Sequence, residues 1–576
     1  MSLLKRLLPS KPIEEQHVTS AAPSKDFPHL PSRPEMSASP PRILVIGAGS
    51  RGRSYAEAIE TSCNGIVVAV AEPDPYKRSN FGRIHIWGSK KSSNAGVSGS
   101  SGVPPEGAEF ADWKDFITYE RSRRKREARG DADVPPGVDA VLVCVLDDMH
   151  REVVVALAEL GGLHIMCEKP LATTLEDCVE MYHVLEQKNA GHIFSIGHVL
   201  RYSPHNMMMR KLLLEDRVIG DILSVVHTEP VGWWHFSHSY VRGNWRRQDT
   251  SGPSLLTKSC HDVDVLLWLL CSPPSYTDAG TAPHLPSTVS STGSVQYFKK
   301  SRKPLAAGNA TNCLSCPIEE SCKFSARRIY VGPQLAGLES SNTGWPVSIV
   351  VPDIEDYDTG TEARKALLAK LAEDYDESTP DAEVAKRNWF GRCVYESDNS
   401  VCDEQIVTIT WDEDPLPSSS SAKNQASSAS APAADPMRGR GAKTATFHMV
   451  AHTKRICDRY THVYGTDGEL YADSRTITVE DFRDGRTTVH NPDLATNGRH
   501  GGHGGGDAGL ARQFVLAVDH VKNHGWDADR AQREIVGCTL EEVIRSHALV
   551  FAAEEARLGK KIVDWKSWWG EKVKSL

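Results

Sequence analysis

The stretch Gly161–Pro170, GGLHIMCEKP, decides how the rest of the sequence is interpreted. Its middle, Leu163–Cys167, is short and mostly apolar, which predicts a buried strand. Glu168-Lys169-Pro170 follows at once, and ligands of open α/β sheets bind at the carboxyl ends of strands. Since a proline disfavours helical backbone at the residue before it, Lys169 is expected to extend from the end of a rigid element. On this stretch alone, a solvent-exposed lysine without function is the alternative.

Upstream, a glycine-rich loop follows another predicted strand. Residues 42–46 (RILVI) lead into residues 47–52 (GAGSRG), a G-x-G-x-x-G motif. Glycines in this pattern allow a tight turn and let the backbone approach a pyrophosphate, which lies at the N-terminus of the following helix. The motif therefore indicates a dinucleotide, and its candidate binding residues are Gly47, Gly49, Ser50, Arg51 and Gly52.

The end of the next predicted strand indicates which dinucleotide is bound. Residues 66–71 (IVVAVA) run into Glu72, which lies 20 positions after Gly52. An acid at this distance binds the ribose diol in the dinucleotide-binding fold. A carboxylate repels a 2′-phosphate, so Glu72 favours NAD. Arg51 and Arg78 lie near enough in sequence to keep NADP as an alternative.

Composition sets the broad class. A chain of 576 residues is too long for one hydrophobic core, so two domains with inserts are expected. The net charge of −9 gives no general attraction to nucleic acid. Its 13 cysteines, an odd number, favour a reducing compartment, and we expect a cytoplasmic protein.

No apolar run reaches the roughly 18 residues that span a bilayer. We predict a disordered tail over residues 1–40, with a weak organelle signal as the alternative.

The repeated order of strand and helix predicts the first domain. Residues 138–146 (VDAVLVCVL) read as a further buried strand, and a predicted helix over Glu152–Leu160 leads to the opening stretch. This β-α-β order predicts a doubly wound parallel sheet over residues 41–198, with a flexible insert at 88–107. His150 is expected on the nicotinamide side or as a helix-capping residue. The basic run Arg121–Arg129 is expected to be a solvated loop, with a nuclear-localisation signal as the alternative.

Residues 199–576 are expected to form a substrate-binding α/β domain. Aromatic and hydrogen-bonding side chains alternate between residues 233 and 245, a pattern that suits recognition of a sugar or polyol. Packing behind a sheet is the alternative explanation. The candidate substrate-binding residues are Arg201, Tyr202, His235, Arg242, Trp245 and His503. Lys258, His261 and Asp262 share one helical face by their i, i+3, i+4 spacing.

Together these motifs resemble the Gfo/Idh/MocA oxidoreductase family: the glycine motif, Glu168-Lys169-Pro170 after a later strand, and His261-x-x-Asp264. The resemblance covers roughly residues 41–275 and the helices near 508–556. It implies a Rossmann domain followed by an α/β domain with a large, open, mostly antiparallel sheet. It also implies NAD(P)-linked oxidation or reduction of a hydroxyl on a sugar, inositol or similar small molecule.

One position departs from the family pattern. Many members carry an aspartate four residues before the histidine, and this chain has Thr257 there. The proton relay is therefore expected to differ, and inositol dehydrogenase activity becomes a weaker expectation. We expect a small-molecule substrate, no nucleic acid and no membrane, and possible self-association through the open sheet.

The candidate catalytic residues follow from the chemistry of carbinol oxidation. A fixed cation stabilises a developing alkoxide, which suits Lys169. A base with a pKa near the working pH removes the hydroxyl proton, which suits His261, and Lys258 is placed to share either role. Glu168, Lys169 and His150 are also expected beside the cofactor. Two alternatives stay open: elimination through transient oxidation by bound NAD, as in a lyase or glycosidase, and a non-catalytic dinucleotide sensor.

A group of cysteines predicts a metal site in the second half of the chain. Cys313, Cys316 and Cys322 lie within ten positions of one another, and Cys393 is our choice for a fourth ligand, with Cys402 as its competitor. Cysteines so spaced in a reducing compartment favour structural zinc over disulfides, although free thiols are an equal alternative. These residues belong to a Cys-rich insert at about 300–400. A disordered insert is expected at about 415–441.

Overall fold

The first sheet forms from the apolar runs that alternate with helices in residues 41–198. The structure is a computed structural model, and it describes residues 32–88, 103–273, 282–416, 436–492 and 503–574, together with the backbone of a short strand, β1 (Val18–Ser20). The predicted insert 88–107 lies mostly outside these ranges, as does much of the insert 415–441. Residues 1–17 and 21–31 of the predicted tail also lie outside them.

Six parallel strands build the sheet of the first domain: β2 (Arg42–Ile46), β3 (Ile66–Ala71), β4 (Glu109–Phe110), β5 (Ala140–Val143), β6 (His164–Cys167) and β7 (Phe194–Ile196). Their order is β4-β3-β2-β5-β6-β7, the doubly wound order of a Rossmann domain. The linking helices are α1 (Ser50–Ser62), α2 (Pro75–His85), α3 (Trp113–Arg129), α4 (His150–Leu160) and α5 (Leu175–Lys188). The prediction of a Rossmann fold is confirmed.

The prediction of a solvated loop over the basic run Arg121–Arg129 is wrong. Arg121–Arg129 is not a loop, because α3 continues through it to Arg129. Glu120 explains why the helix accepts so many arginines: its carboxylate pairs with Arg123 at i+3 (2.7 Å) and with Arg124 at i+4 (2.8 Å). Gly130, at a φ of 73°, then ends the helix in the left-handed conformation that glycine adopts readily.

The second domain contains a ten-stranded sheet. Its further strands are β8 (Ile222–Pro230), β9 (Thr288–Ser294), β10 (Glu404–Trp411), β11 (Lys443–Val450), β12 (Tyr460–Gly465), β13 (Gly468–Ala472), β14 (Ile477–Asp481), β15 (Thr487–His490) and β16 (Val563–Asp564). The order is β1-β15-β14-β13-β12-β8-β11-β10-β9-β16. Among the described strands of this second sheet, only β1 with β15 and β8 with β11 pair in parallel. This confirms the mostly antiparallel sheet.

Helices α10 and α16 pack against strands of this sheet, α10 against β11 and α16 against β9. The helices that follow residue 198 are α6 (Pro204–Arg210), α7 (Trp233–Phe236), α8 (Gln248–Ser251), α9 (Ser254–Thr257), α10 (Cys260–Leu270), α11 (Val347–Val350), α12 (Gly360–Ala372), α13 (Asp381–Lys386), α14 (Gly506–Asn523), α15 (Ala528–Ala531), α16 (Leu540–Gly559) and α17 (Trp565–Lys572). Helix α14 packs against α1, so a late segment of the chain lies beside the glycine loop.

The Cys-rich segment between β9 and β10 has a small hydrophobic core of its own. Ile329, Tyr330, Val347, Leu367 and Leu371 are fully or almost fully buried in it. Trp234, from the start of α7, packs into the same core. The insert is therefore attached to the segment that carries several of the candidate substrate-binding residues.

Part of the tail that we expect to be disordered is ordered in the structure. The backbone of β1 pairs in parallel with β15. Further on, Arg33 donates from Nε to the carbonyl of Cys63 at 2.7 Å. No helix in the described ranges is both long and apolar enough to cross a membrane.

A buried ion pair joins the first segment of the second domain to α10. Arg201 contacts Asp264 through two hydrogen bonds, Nε to Oδ2 at 2.6 Å and Nη2 to Oδ1 at 2.8 Å. Both residues are almost completely buried. Burial alone would raise the pKa of Asp264, but Arg201 and His198 lower it, so the aspartate stays charged.

We predict that Asp264→Asn lowers the free energy of unfolding by about 3 kcal/mol, because it leaves the Arg201 charge poorly compensated in the interior. Urea unfolding followed by tryptophan fluorescence measures this loss. The control is Asp481→Asn, which breaks the exposed Asp481–Arg483 pair and should leave the midpoint nearly unchanged. Equal midpoints for the two variants would contradict the importance of the buried pair.

Candidate active site

The glycine loop between β2 and α1 has the shape that a pyrophosphate needs. Gly47 has a φ of 96°, and a Cβ there would lie 2.4 Å from the carbonyl oxygen of Cys144. At Gly52 a Cβ would lie 2.0 Å from the carbonyl oxygen of Gly47. Gly49 faces open space and is the N-cap of α1 without any side-chain cap, and Ser50 after it is exposed. The first N–H groups of α1 are therefore open to an anion, and the loop fits a dinucleotide.

Glu72 lies at the end of β3, directly beside this loop. Its carboxylate accepts hydrogen bonds from the backbone N–H of Ala48 (2.8 Å) and of Asp74 (3.0 Å). Arg78, the nearby cation, donates to Glu109 at 2.8 Å and to the carbonyl of Glu72 at 2.6 Å. Backbone N–H groups thus hold both oxygens of Glu72 beside the glycine loop, and the charge of Arg78 is compensated by Glu109.

Arg51 of the loop is held by two carboxylates. Its Nε donates to Glu168 at 3.0 Å, and both terminal nitrogens donate to Asp507 at 2.9 Å. Burial alone would raise the pKa of Asp507, but a hydrogen bond from His503 and the charge of Arg51 lower it. Asp507 lies in the first turn of α14, which begins at Gly506, and the N-cap of that helix is Gly505. The aspartate ties α14 to the glycine loop.

Lys169 reaches from the Rossmann sheet into the second domain. Its Nζ donates to the backbone carbonyl of Thr257 at 2.6 Å. It also lies 5.9 Å from the ring centroid of Trp245, whose Nε1 donates to Asp147 at 2.8 Å. His150 is buried and contacts the carbonyl of Pro170 through Nδ1 at 2.7 Å, which braces the turn that carries Lys169.

His261 lies one helical turn beyond Thr257 and is buried. Its Nε2 is 2.9 Å from Nη2 of Arg459, and an arginine can only donate, so Nε2 accepts and the ring proton resides on Nδ1. Within the described residues Nδ1 has no hydrogen-bond partner. Burial, together with Arg459 and Lys169, lowers the pKa of His261 well below its usual value, although Asp262 opposes this. The imidazole is therefore neutral.

A buried network of charges lies behind His261. Lys258 contacts Glu229 at 3.1 Å, and Arg459 contacts Glu229 at 3.0 Å and Asp262 at 2.5 Å. Two cations thus face two carboxylates. Burial alone would lower the pKa of Lys258, but Cys457 and Glu229 raise it above its usual value. Lys258 is therefore a fixed cation and is poorly suited to act as a base.

Cys457 completes this network with an unusual backbone conformation. Its φ is 57°, in the left-handed region where few residues other than glycine lie. Its Sγ is 3.0 Å from Nζ of Lys258 and 3.7 Å from Nδ1 of His235. Burial raises the pKa of the thiol although Lys258 lowers it. His235 also packs edge-on against Trp345, with centroids 5.1 Å apart.

The structure brings together six of the predicted site residues and separates three others from them. Lys169, Lys258, His261, Trp245, His235 and His503 lie around one region, and the rings of His261 and His503 are 5.9 Å apart. Arg201 is paired with Asp264, and the hydroxyl of Tyr202 donates to the carbonyl of Val536 at 2.9 Å. Arg242 donates to the carbonyl of Arg392 at 2.7 Å. We leave these three out of the proposed substrate site.

Sequence reasoning missed three members of the network, namely Glu229, Arg459 and Cys457. Glu229 is the last residue but one of β8, and β12, which follows Arg459, pairs with β8. No local motif marks these residues, since their relation depends on a strand pairing across more than 200 positions.

One further group of side chains has potential ligand atoms close enough together to be considered as a metal site. Among the described residues, His198, Cys260 and His547 have ligand atoms within 4.8 Å of one another. However, Nε2 of His547 accepts the N–H of Leu171 at 2.8 Å, and its Nδ1 contacts the carbonyl of Val543 at 2.8 Å. Because both ring nitrogens are engaged, this group does not fit a metal ion.

The fold and this geometry define a two-domain, dinucleotide-binding protein with its site at the domain junction. Residues 41–198 match a family model described as the NAD-binding Rossmann fold of an oxidoreductase family, and residues 211–288 match the C-terminal alpha/beta domain of that family. The chain thus contains a match to each of the two domains of the Gfo/Idh/MocA oxidoreductase family.

Curated relatives match over about a quarter of the chain. The 2,7-anhydro-N-acetylneuraminate hydratase of Escherichia coli is 35% identical over 133 residues, which are 23% of this chain and 34% of the relative. The 1,5-anhydro-D-fructose reductase of Ensifer adhaerens is 34% identical over 146 residues, 24% of this chain and 40% of the relative. The chain thus spans between a third and two fifths of the length of these relatives.

Solved structures share the fold of both domains. A levoglucosan dehydrogenase in complex with NADH and levoglucosan matches with a TM-score of 0.50 at 15% identity, covering 91% of this chain and 99% of that one. Its complex with NADH alone matches with a TM-score of 0.51 at 15% identity, covering 91% and 98%. At this identity the likeness shows the fold alone.

We predict that Glu72→Ala weakens NAD binding by about tenfold, because the ribose loses a charge-assisted hydrogen bond worth roughly 1.5 kcal/mol. NADP binding should change little or improve. Calorimetric titration of both cofactors measures the two dissociation constants. Glu109→Ala is the control: it frees Arg78 without touching the ribose acid, so it should strengthen NADP and leave NAD unchanged. Equal losses for both cofactors in Glu72→Ala would contradict the assignment.

Proposed function

We propose that this chain is an NAD-dependent dehydrogenase or reductase acting on a hydroxyl or carbonyl carbon of a sugar-like small molecule. The observation that carries the proposal is the hydrogen bond from Lys169 to Thr257, one turn before His261. This hydrogen bond ties a cation of the cofactor domain to the segment that carries the neutral imidazole of the substrate domain. Such a pair suits the two charges that develop when a carbinol is oxidised.

Lys169 is the group that stabilises the substrate oxygen. Its three N–H donors allow it to keep the Thr257 carbonyl and still donate to an alkoxide. Trp245, fixed by its hydrogen bond to Asp147, offers an aromatic face at the same place. Bound nicotinamide supplies the hydride chemistry. The protein places the carbon and balances the charge on its oxygen.

His261 is the group that accepts the hydroxyl proton. Its burial keeps it neutral, as a base must be. In the present geometry Arg459 occupies the Nε2 lone pair, so a substrate hydroxyl at Nε2 must displace that hydrogen bond. The loss is modest, since Arg459 keeps its contacts with Glu229 and Asp262. Substrate binding and release of His261 from Arg459 are thus one event.

The preference for NAD over NADP rests on the charges near the ribose. Glu72 places a carboxylate there, and Arg78 is compensated by Glu109. Arg51 is compensated by Glu168 and Asp507. Neither of these two arginines offers an unpaired charge to a 2′-phosphate.

A second candidate function is elimination through transient oxidation. It is favoured by the relative named as an anhydro-sugar hydratase and by Lys258, a second fixed cation beside His261. In this mechanism bound NAD would take a hydride from a carbinol carbon, which acidifies the neighbouring C–H. Loss of that proton would expel the aglycone with its C–O bond, and return of the hydride to the carbonyl carbon would regenerate NAD. The net redox change is zero.

The partner and the compartment are also part of the proposal. Exposed apolar and aromatic side chains, among them Val226, Tyr460, Tyr464 and Tyr471, lie on neighbouring strands of the ten-stranded sheet, which suits self-association through that face. All 13 cysteines are free thiols, which suits the cytoplasm.

A panel of sugars, polyols and anhydro-sugars, each tested with NAD and with NADP, distinguishes the candidate functions. Absorbance at the nicotinamide band reports net redox, and chromatography reports elimination or hydration products. Net NADH formation supports the dehydrogenase, and product without net NADH supports elimination. Tight NAD binding with no turnover of any compound would point to a sensor instead.

We predict that Lys169→Met lowers kcat by a factor on the order of 10² to 10³ while NAD binding stays close to that of the wild type. His261→Ala should lower kcat by about 10² to 10⁴. The double variant should be less than multiplicatively worse, because both residues act on one proton transfer. Stopped-flow single turnovers measure these rates.

Lys188→Met and His524→Ala, which change residues away from the site, are the controls and should retain wild-type turnover. Normal turnover in either site variant would overturn the mechanism.

A further inference from the structure

Four cysteines from separate segments line one small cavity in the Cys-rich insert. Cys313, Cys316, Cys322 and Cys393 all contact a space of about 20 Å³, close to the volume that one water molecule needs. All four are free thiols. No residue of the glycine loop lines this cavity, and neither does Glu72, so the cavity is separate from the dinucleotide site.

The local backbone explains why the four cysteines line one cavity. Cys313 begins a 3₁₀ turn, and side chains three residues apart are eclipsed in such a turn, which brings Cys316 to the same side. The N–H of Cys313 donates to the carbonyl of Gly391, and the N–H of Cys393 donates to that of Thr311, each at 2.8 Å. These two bonds fasten Cys393 beside the first pair.

A buried charge beside the cavity points to an anionic occupant. Arg242 is fully buried, and its partners are the carbonyls of Arg392 (2.7 Å) and Phe324 (2.8 Å) and the Sγ of Cys313 (3.3 Å). None of these partners is a carboxylate. Within the described residues, its Nη1 has no hydrogen-bond partner. A buried guanidinium in this state is costly unless a negative group lies near it.

We propose that Cys313, Cys316, Cys322 and Cys393 bind a structural zinc ion as thiolates. Four thiolates around a divalent cation carry a net charge of −2, which offsets the single positive charge of Arg242 and leaves −1 for the group as a whole. Soft sulfur ligands in tetrahedral number select zinc. Each cysteine exchanges its proton for a bond to the metal, and four protons go to solvent. No three of these sulfurs lie within 4.8 Å of one another in the described structure, so binding draws the turns inward.

The site is closed and therefore structural, because cysteine fills all four positions and leaves none for a substrate. Its effect on the active site is indirect. Arg242 ends the π-helical turn Ser237–Arg242, which lies between His235 and Trp245. The metal would fasten the insert to the segment that positions these two side chains.

Metal analysis of the full-length protein, expressed with added zinc and purified without chelators, tests the proposal. We expect about one zinc per chain. Replacement by Co²⁺ should give the intense thiolate-to-cobalt absorption of a tetrahedral four-sulfur site, and removal of the metal should lower the melting temperature. Protein that holds no metal after dialysis against zinc would overturn the proposal, as would bound iron with inorganic sulfide.

Matched variants test the ligand set. Cys393→Ala should lose most of the zinc, whereas Cys402→Ala, which removes a nearby sulfur outside the cavity, should retain it. Arg242→Met should keep one zinc per chain but weaken its retention against a chelator by about tenfold to a hundredfold. Should Cys393→Ala fail to fold, the cobalt spectrum of the wild-type protein decides. Zinc lost from Cys402→Ala and retained in Cys393→Ala would overturn the assignment.

Discussion

The arrangement of the site depends on a hydrogen bond between the two domains, from the ammonium of Lys169 to the carbonyl of Thr257. The strand before Lys169 belongs to the Rossmann sheet, and Thr257 lies just before the helix that carries His261. The bond thus sets how close a cation of the cofactor domain comes to the imidazole of the other domain. The contact between Arg51 and Asp507 fastens the same two regions on the far side of the glycine loop. Chemistry at this junction requires no large movement of either domain.

Charge balance explains how so many ionisable groups are buried here. Lys258 and Arg459 face Glu229 and Asp262, so the network carries no net charge. Replacing any one of these four side chains by a neutral one would leave an uncompensated charge in the interior, which lowers the free energy of unfolding by several kcal/mol. Arg242 contrasts with this pattern, because its bonded partners include no carboxylate. The same rule that explains the active site therefore supports a thiolate centre beside Arg242.

The Rossmann half of the fold follows from local sequence, and much of the site does not. The glycine motif, Glu72 and Glu168-Lys169-Pro170 each lie at the end of a strand, where position along the chain determines position in space. Glu229 and Arg459 meet only because β12 pairs with β8, and no local signal encodes that pairing. Arg201 and Arg242 were expected at the substrate because they are polar and lie near aromatic residues. In the structure both guanidinium groups instead form hydrogen bonds with buried groups of the protein. A single sequence does not show whether a buried cation faces a ligand or the protein itself.

The most direct test of this account is a crystal structure with NAD and the hydroxyl compound that the panel identifies. The account predicts that the reacting oxygen lies within about 3.2 Å of both Lys169 Nζ and His261 Nε2, with Arg459 displaced from the imidazole. A hydroxyl held elsewhere, with the hydrogen bond between Arg459 and His261 intact, would contradict it.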